Sequence, residues 1–143
     1  MKPSLLLLCT LLCTQGVFAD TPAQTRVKEF KTLLRSFESM GTVVRGRDAY
    51  RPDVFARQAA TLKADAGKPF ANFPAGSQPD NRAKAEIWSQ SARFKHEQAT
   101  FLQRVDTLDT AARAKDMAAI RISYGAVAQS CKSCHDAFRG PAK

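Results

Sequence analysis

DMAAIRISYGAVAQSCKSCHDAFRG, residues 116–140, is the stretch on which the fold turns. Asp116 is a good helix cap, because its carboxylate can accept the free N–H groups of a first turn. Gly140-Pro141 is a strong helix stop. Between them Ile120, Tyr124, Val127, Cys131, Cys134 and Phe138 recur at alternating spacings of four and three, the seam of a helix packed in an antiparallel bundle. Within that seam Cys131-Lys132-Ser133-Cys134-His135 has the Cys-x-x-Cys-His form of a covalent c-type haem attachment site. Two thiols can add to the two porphyrin vinyl groups, and the imidazole offers an axial nitrogen to the iron. On a helix, Cys134 and His135 lie three and four residues beyond Cys131, so all three project from one face. Only eight residues follow His135, and none is Met or His. A second axial ligand would have to come from upstream.

Three further helices are expected before this one. The first opens at Thr21-Pro22, a cap followed by proline at the first helical position. It carries Val27, Phe30, Leu33, Leu34, Phe37 and Met40 at helical spacing and stops near Gly41 or Arg45-Gly46. The second runs from Pro52-Asp53 to Ala66 with Val54, Ala59, Leu62 and Ala66 as its apolar residues. The connection Gly67–Asn81 holds Pro69, Pro74, Gly76 and Pro79, which argue against regular structure. It also holds Phe70 and Phe73, so it should pack down on something apolar. The third helix is expected from just after Asp80-Asn81 to about Ala114, with Ile87, Phe94, Phe101, Val105, Leu108 and Ala112 on one stripe and Trp88 beside it. The expected architecture is an all-α, antiparallel up-down-up-down four-helix bundle holding one covalent haem c.

The N-terminus reads as an export signal. Lys2 supplies a positive start, six leucines between Leu5 and Leu12 form an apolar core, and Val17-Phe18-Ala19 fits a cleavage site. Residues 1–19 would be removed, leaving 20–143 as one domain. The apolar run is short for a membrane span, so no stable membrane insertion is expected. Cleavage also removes Cys9 and Cys13, leaving Cys131 and Cys134 as the only thiols. A disulfide between them would close a tiny loop and restrain little. A thioredoxin-type pair belongs in a βαβ setting that this chain lacks. A four-ligand zinc site needs more ligands than these two cysteines, His96 and His135. Haem is what remains. The formal net charge of +9 is scattered along the chain, which reads as a solvated surface or as attraction to an acidic redox partner. Nucleic acid is not an expected partner for an exported haem protein.

Three stretches together resemble the cytochrome c′ family, the class II c-type cytochromes: Cys131–Arg139, Glu86-Ile87-Trp88-Ser89 followed by Phe94-Lys95, and Met40-Gly41-Thr42-Val43-Val44-Arg45-Gly46. The resemblance spans essentially the whole mature chain. It implies that Cys131 and Cys134 carry haem c and that His135 is the axial ligand. It places Phe30 at the distal position, which holds an apolar residue in the high-spin members and a methionine in the low-spin ones. Met40 is ten residues further on, about 15 Å along a helix axis, and Met117 is eighteen residues before His135, about 27 Å. Neither should reach the iron. His96, between Lys95 and Glu97, reads as a solvated side chain. The resemblance further implies that Arg139, four residues after His135 and on the same helical face, stands beside the proximal pocket, that Arg26 lies near a haem propionate, and that Phe73, with Phe70, packs near the haem. An iron with one protein ligand behind an apolar lid offers no distal hydrogen bond, so NO and CO are the expected ligands rather than dioxygen. The expected role is a periplasmic, non-enzymatic gas-binding protein that buffers or sequesters NO; the alternative is a soluble electron carrier cycling Fe(II) and Fe(III). Relatives commonly pair through their first two helices, making a homodimer a candidate assembly.

Overall fold

The computed structural model describes residues 19–77 and 82–141. The proposed export signal lies almost wholly outside them. Five α-helices and one 3-10 helix follow in order: α1 (Pro22–Val44), α2 (Pro52–Ala66), a 3-10 helix (Lys68–Asn72), α3 (Glu86–Ser89), α4 (Ser91–Arg113) and α5 (Met117–Phe138). The four long helices form the expected antiparallel bundle.

Helix boundaries follow local chemistry. Thr21 caps α1 by a reciprocal box: its Oγ1 accepts from Gln24 N–H at 3.2 Å while its own N–H donates to Gln24 Oε1 at 2.9 Å. Proline occupies the first position of both α1 and α2. Asp116 Oδ1 accepts from the N–H groups of Ala118 and Ala119 at 2.9 and 3.1 Å, as its sequence position predicts. The reversal from α4 to α5 is tight enough to hold Lys115 at φ 58°, a costly region for a side-chain-bearing residue. Lys115 also reaches Asp53 at 2.8 Å, tying this turn to the start of α2.

Caps are worth about 1 kcal/mol each, whereas burying a Leu, Ile or Phe side chain stabilises by about 1.5–3 kcal/mol, so packing decides the fold. Met40, Leu62, Val105, Leu108, Ile120 and Val127 form the centre of the main core. The expected α4 and α5 stripes are observed: Phe94, Phe101, Val105, Leu108 and Ala112 are buried, as are Ile120, Tyr124, Val127 and Phe138. A smaller cluster of Ile87, Phe94 and Phe138 closes the opposite end, and Phe70 packs against both clusters.

Four expectations need correction. On α2 the buried residue of the first turn is Phe55, not Val54, which is half-buried. The connection after Gly67 is not irregular throughout: Lys68–Asn72 winds into a 3-10 helix with Pro69 in its first turn, a position that suits proline. The third helix is two helices, broken at Gln90 (φ −115°, ψ 46°). No glycine or proline marks that break. It is imposed by tertiary contacts: Lys84 N–H donates to Phe138 O at 3.0 Å, and Trp88 Nε1 donates to the carbonyls of Phe73 and Pro74 at 3.2 and 3.0 Å. Finally, α5 ends at Phe138, and Arg139 is not on its helical face. Arg139 is extended (φ −116°, ψ 123°) and forms an isolated antiparallel bridge with Ala83.

Candidate haem site

α5 packs along α4, and α2 along α4, while α1 leans mainly on the 3-10 helix and α2. The weak α1–α5 seam leaves a cavity of about 560 Å³ between them, within the range of about 300–1,000 Å³ typical of small-molecule and cofactor sites. Cys131, Cys134 and His135 line one side of it, as one face of α5 requires; Phe30, Leu33 and Phe37 of α1 line the other. Phe70 and Phe73 of the strap (residues 67–77) close it beside Phe94.

Both cysteines are free and half-buried. Burial raises the Cys131 thiol pKa, and burial, then Glu97 and Cys131, push Cys134 up to about 11. Redox-active cysteine pairs depend on a lowered pKa, so these thiols are poorly suited to disulfide exchange. No cluster of three or more His, Cys, Asp or Glu able to hold a bare metal ion occurs among the described residues. Much of the His135 surface stays accessible along the cavity, yet surrounding protein mass is the main cause that lowers its pKa, followed by Arg139 and Arg82. That favours neutral imidazole, the form with a lone pair to give.

The rim is cationic. Lys31, Arg26, Arg82 and Arg139 border the cavity, and among the described residues no carboxylate does. A flat apolar macrocycle with two carboxylate arms fits such a site: apolar walls for the ring, two thiols and an imidazole on one helix face, and only positive charge at the edge. The residues present therefore suit haem c.

The chain matches the cytochrome c′ family model over residues 21–139. It belongs to the cytochrome c′ family. It is 38% identical over 109 residues to the cytochrome c′ of Alcaligenes xylosoxydans xylosoxydans, covering 76% of this chain and 85% of the relative. It is 36% identical over 107 residues to that of Halomonas halodenitrificans, covering 70% and 81%. Among solved structures, a nitric oxide complex of a leucine-to-alanine mutant of cytochrome c prime from Alcaligenes xylosoxidans superposes with a TM-score of 0.82 at 32% identity, covering 87% of this chain and 100% of that one. A carbon monoxide-bound variant of the same protein gives 0.81, also at 32% identity, covering 84% and 94%. Cytochromes c′ bind haem c, and this chain carries the cysteines for it.

The structure sorts the remaining sequence-derived residues. Phe30 is half-buried on the cavity wall, its ring edge-on to Phe70 at 5.5 Å and to Phe73 at 6.4 Å. Met40 is fully buried in the main core and Met117 packs against it; neither lines the cavity. His96 is exposed, as its flanking charges predict. Arg139 lies on the rim near His135, although it reaches it from beyond the helix end. Arg26 is not an ordinary exposed arginine: it is 2% exposed, and its guanidinium donates to Asn72 O, Ser77 Oγ and Ser77 O at 3.0, 2.9 and 2.6 Å.

Two contributors were missed. Glu97 of α4 accepts a hydrogen bond from Ser133 Oγ at 2.9 Å, between the two cysteines. Its only sequence signal was its place on α4, four residues before the buried Phe101. Arg82 donates from Nε to Gly140 O at 2.7 Å, and its carbonyl accepts from Gly140 N–H at 2.7 Å, which pins the chain after α5. It carried no signal, since its partners are fifty-eight residues away.

Proposed function

We propose that the protein is a periplasmic, non-enzymatic gas-binding cytochrome c′ that buffers or sequesters NO. In this reading Cys131 and Cys134 hold the haem by thioethers and His135 gives its imidazole nitrogen to the iron. When bound, the haem supplies an iron with one coordination position free for a diatomic ligand. The single observation that carries the reading is the character of the wall opposite α5: Phe30, Leu33 and Phe37 present apolar side chains there, and no methionine or histidine of α1 lines the cavity.

The chain's own residues then set what can bind. Phe30, buttressed by Phe70 and Phe73, restricts entry to small ligands and withholds the hydrogen bond that a polarised dioxygen would need. Similarity to NO-bound and CO-bound cytochrome c′ structures supports the choice of gases. Arg139 on the rim beside His135 supports a proximal-side role, and Arg26, which also borders the cavity, retains N–H groups that could meet a propionate. The export-type N-terminus supports the periplasm, and no described helix is long and apolar enough to cross a membrane. Pairing of two copies through α1 and α2 would cover Val27 and Leu34, which are exposed on α1.

Electron transfer is the second reading, favoured by the cations Lys31, Arg82 and Arg139 at the cavity mouth, which form no ion pair among the described residues and would attract an acidic partner. A strain lacking the protein decides between them. Normal respiration with heightened NO sensitivity is the expected result, whereas a respiratory defect with unchanged NO tolerance favours the carrier.

A further inference from the structure

Phe73, within residues 73–77, lines the cavity, yet among the described residues no backbone–backbone hydrogen bond ties that segment to a helix; its own such bond is internal, Ser77 N–H to Pro74 O, whereas further back Gly67 N–H donates to Asp65 O of α2. Side chains do the anchoring. From α3, Trp88 Nε1 reaches the carbonyls of Phe73 and Pro74. From α1, Glu29 Oε2 accepts from Asn72 Nδ2 at 2.9 Å. The densest anchor is Arg26, whose two terminal nitrogens donate to three oxygens of Asn72 and Ser77. Its guanidinium carbon also stands 4.7 Å from the centre of the Phe73 ring. Phe73 in turn abuts Phe30, one helical turn after Arg26 on α1.

We propose that Arg26 is a positioning residue that sets ligand access by locking the strap, and through Phe73 the Phe30 lid, in the closed position. The proposal rests on the gas-binding reading with Phe30 as lid. Burying a guanidinium is unfavourable unless its donors are met, and burial lowers the pKa of this one. An arginine serving only an exposed carboxylate arm would not need to turn three bonds toward a loop. Its placement makes sense if the strap must be held: Phe30 cannot swing out while Phe73 and Phe70 are fixed against it, and Arg26 fixes Phe73 from both its backbone neighbours and its ring face. Access would then depend on strap opening as well as on rotation of one side chain.

The test uses the haem-loaded protein. Arg26→Gln and Arg26→Lys are made alone and in a Phe30→Ala background, with CO association followed by flash photolysis and strap mobility by hydrogen exchange across residues 68–77. Hydrogen bonds to charged groups contribute about 1.5–3 kcal/mol each, so loss of even one should raise the open population at least about tenfold. Arg26→Gln is therefore expected to speed CO association at least about tenfold, to speed exchange in the strap but not in α4 or α5, and to add nothing in the Phe30→Ala background. Arg26→Lys should lie between. Ser77→Ala, which removes one acceptor and leaves the guanidinium buried, gives the same pattern in smaller measure and serves if Arg26→Gln does not fold. If Phe30→Ala accelerates binding and the Arg26 and Ser77 variants do not, the lock is wrong and the lid stands. If the two effects multiply, or if Arg26→Gln shifts the haem potential without altering exchange in the strap, Arg26 acts on the haem and the proposal fails. An unchanged rate in Phe30→Ala itself overturns the lid and the lock together.

Discussion

Replacing Phe30 by alanine should open the distal wall without touching the attachment site. In the structure the ring makes two edge-to-face contacts, with Phe70 at 5.5 Å and Phe73 at 6.4 Å. Aromatic pairs of this kind contribute about 0.5–1.5 kcal/mol each beyond area burial. Swinging Phe30 aside must break both, a barrier contribution of about 1–3 kcal/mol, which converts to about a 5- to 150-fold change in rate. Removal of the ring therefore predicts CO association to the ferrous protein faster by that factor, measured by flash photolysis. Dissociation should change less, because the departing ligand meets the same opening but its bond to iron is unaltered. Phe30 is only half-buried, so the variant should stay folded, and far-UV circular dichroism checks this. An association rate within twofold of the parent would refute the assignment of Phe30 as the lid, because no other side chain on that wall is braced by two strap phenylalanines.

Covalent attachment makes a sharper demand on α5. Cys131→Ala or Cys134→Ala should leave one thioether and an intact mass of protein plus haem, whereas the double variant should release all its haem under denaturing extraction; haem retained by the double variant would contradict the assignment. Tyr124 tests the core. Burial holds its phenol above the ordinary value, while its hydroxyl donates to Phe37 O at 3.2 Å and its ring stacks on Phe37 at 4.1 Å. The unfolded chain gives up the phenolic proton first, so folding stability contributed by this group is present below about pH 10 and is lost as pH rises beyond it. Tyr124→Phe should flatten that alkaline fall and cost about 1 kcal/mol at neutral pH for the lost hydrogen bond, both read from denaturant melts across pH; an identical alkaline profile in the variant would contradict the burial argument.

The long helices and their buried faces were legible because each rests on a local rule: a capping box at Thr21, proline at 22 and 52, an aspartate cap at 116, and apolar residues recurring at three and four. The attachment motif was equally legible, since its three groups share one turn of α5. What escaped was imposed across the chain. The break at Gln90 arises from the bonds of Trp88 to the strap and of Lys84 to the end of α5, and no residue near Gln90 announces it. Phe55 was passed over because Val54, its neighbour, also fits a helical stripe, and only the packing direction of α2 chooses between them. Arg26 was expected near a propionate, and it borders the cavity with its guanidinium turned to oxygens of residues 72 and 77, about fifty positions away; sequence spacing carries no trace of that bonding. Arg139 was expected beside the proximal pocket from the family resemblance, on the helical face of His135, yet it borders the cavity in extended backbone paired with Ala83.

The central claim is that the chain gives the iron one protein ligand, His135, and leaves the opposite face behind an apolar wall. The optical spectrum of the ferrous protein at neutral pH tests this most directly. A broad, high-spin Soret band with no resolved pair of sharp visible bands is the predicted result. A sharp low-spin spectrum, signalling a second strong protein ligand, would contradict the account and remove Phe30 from the distal position.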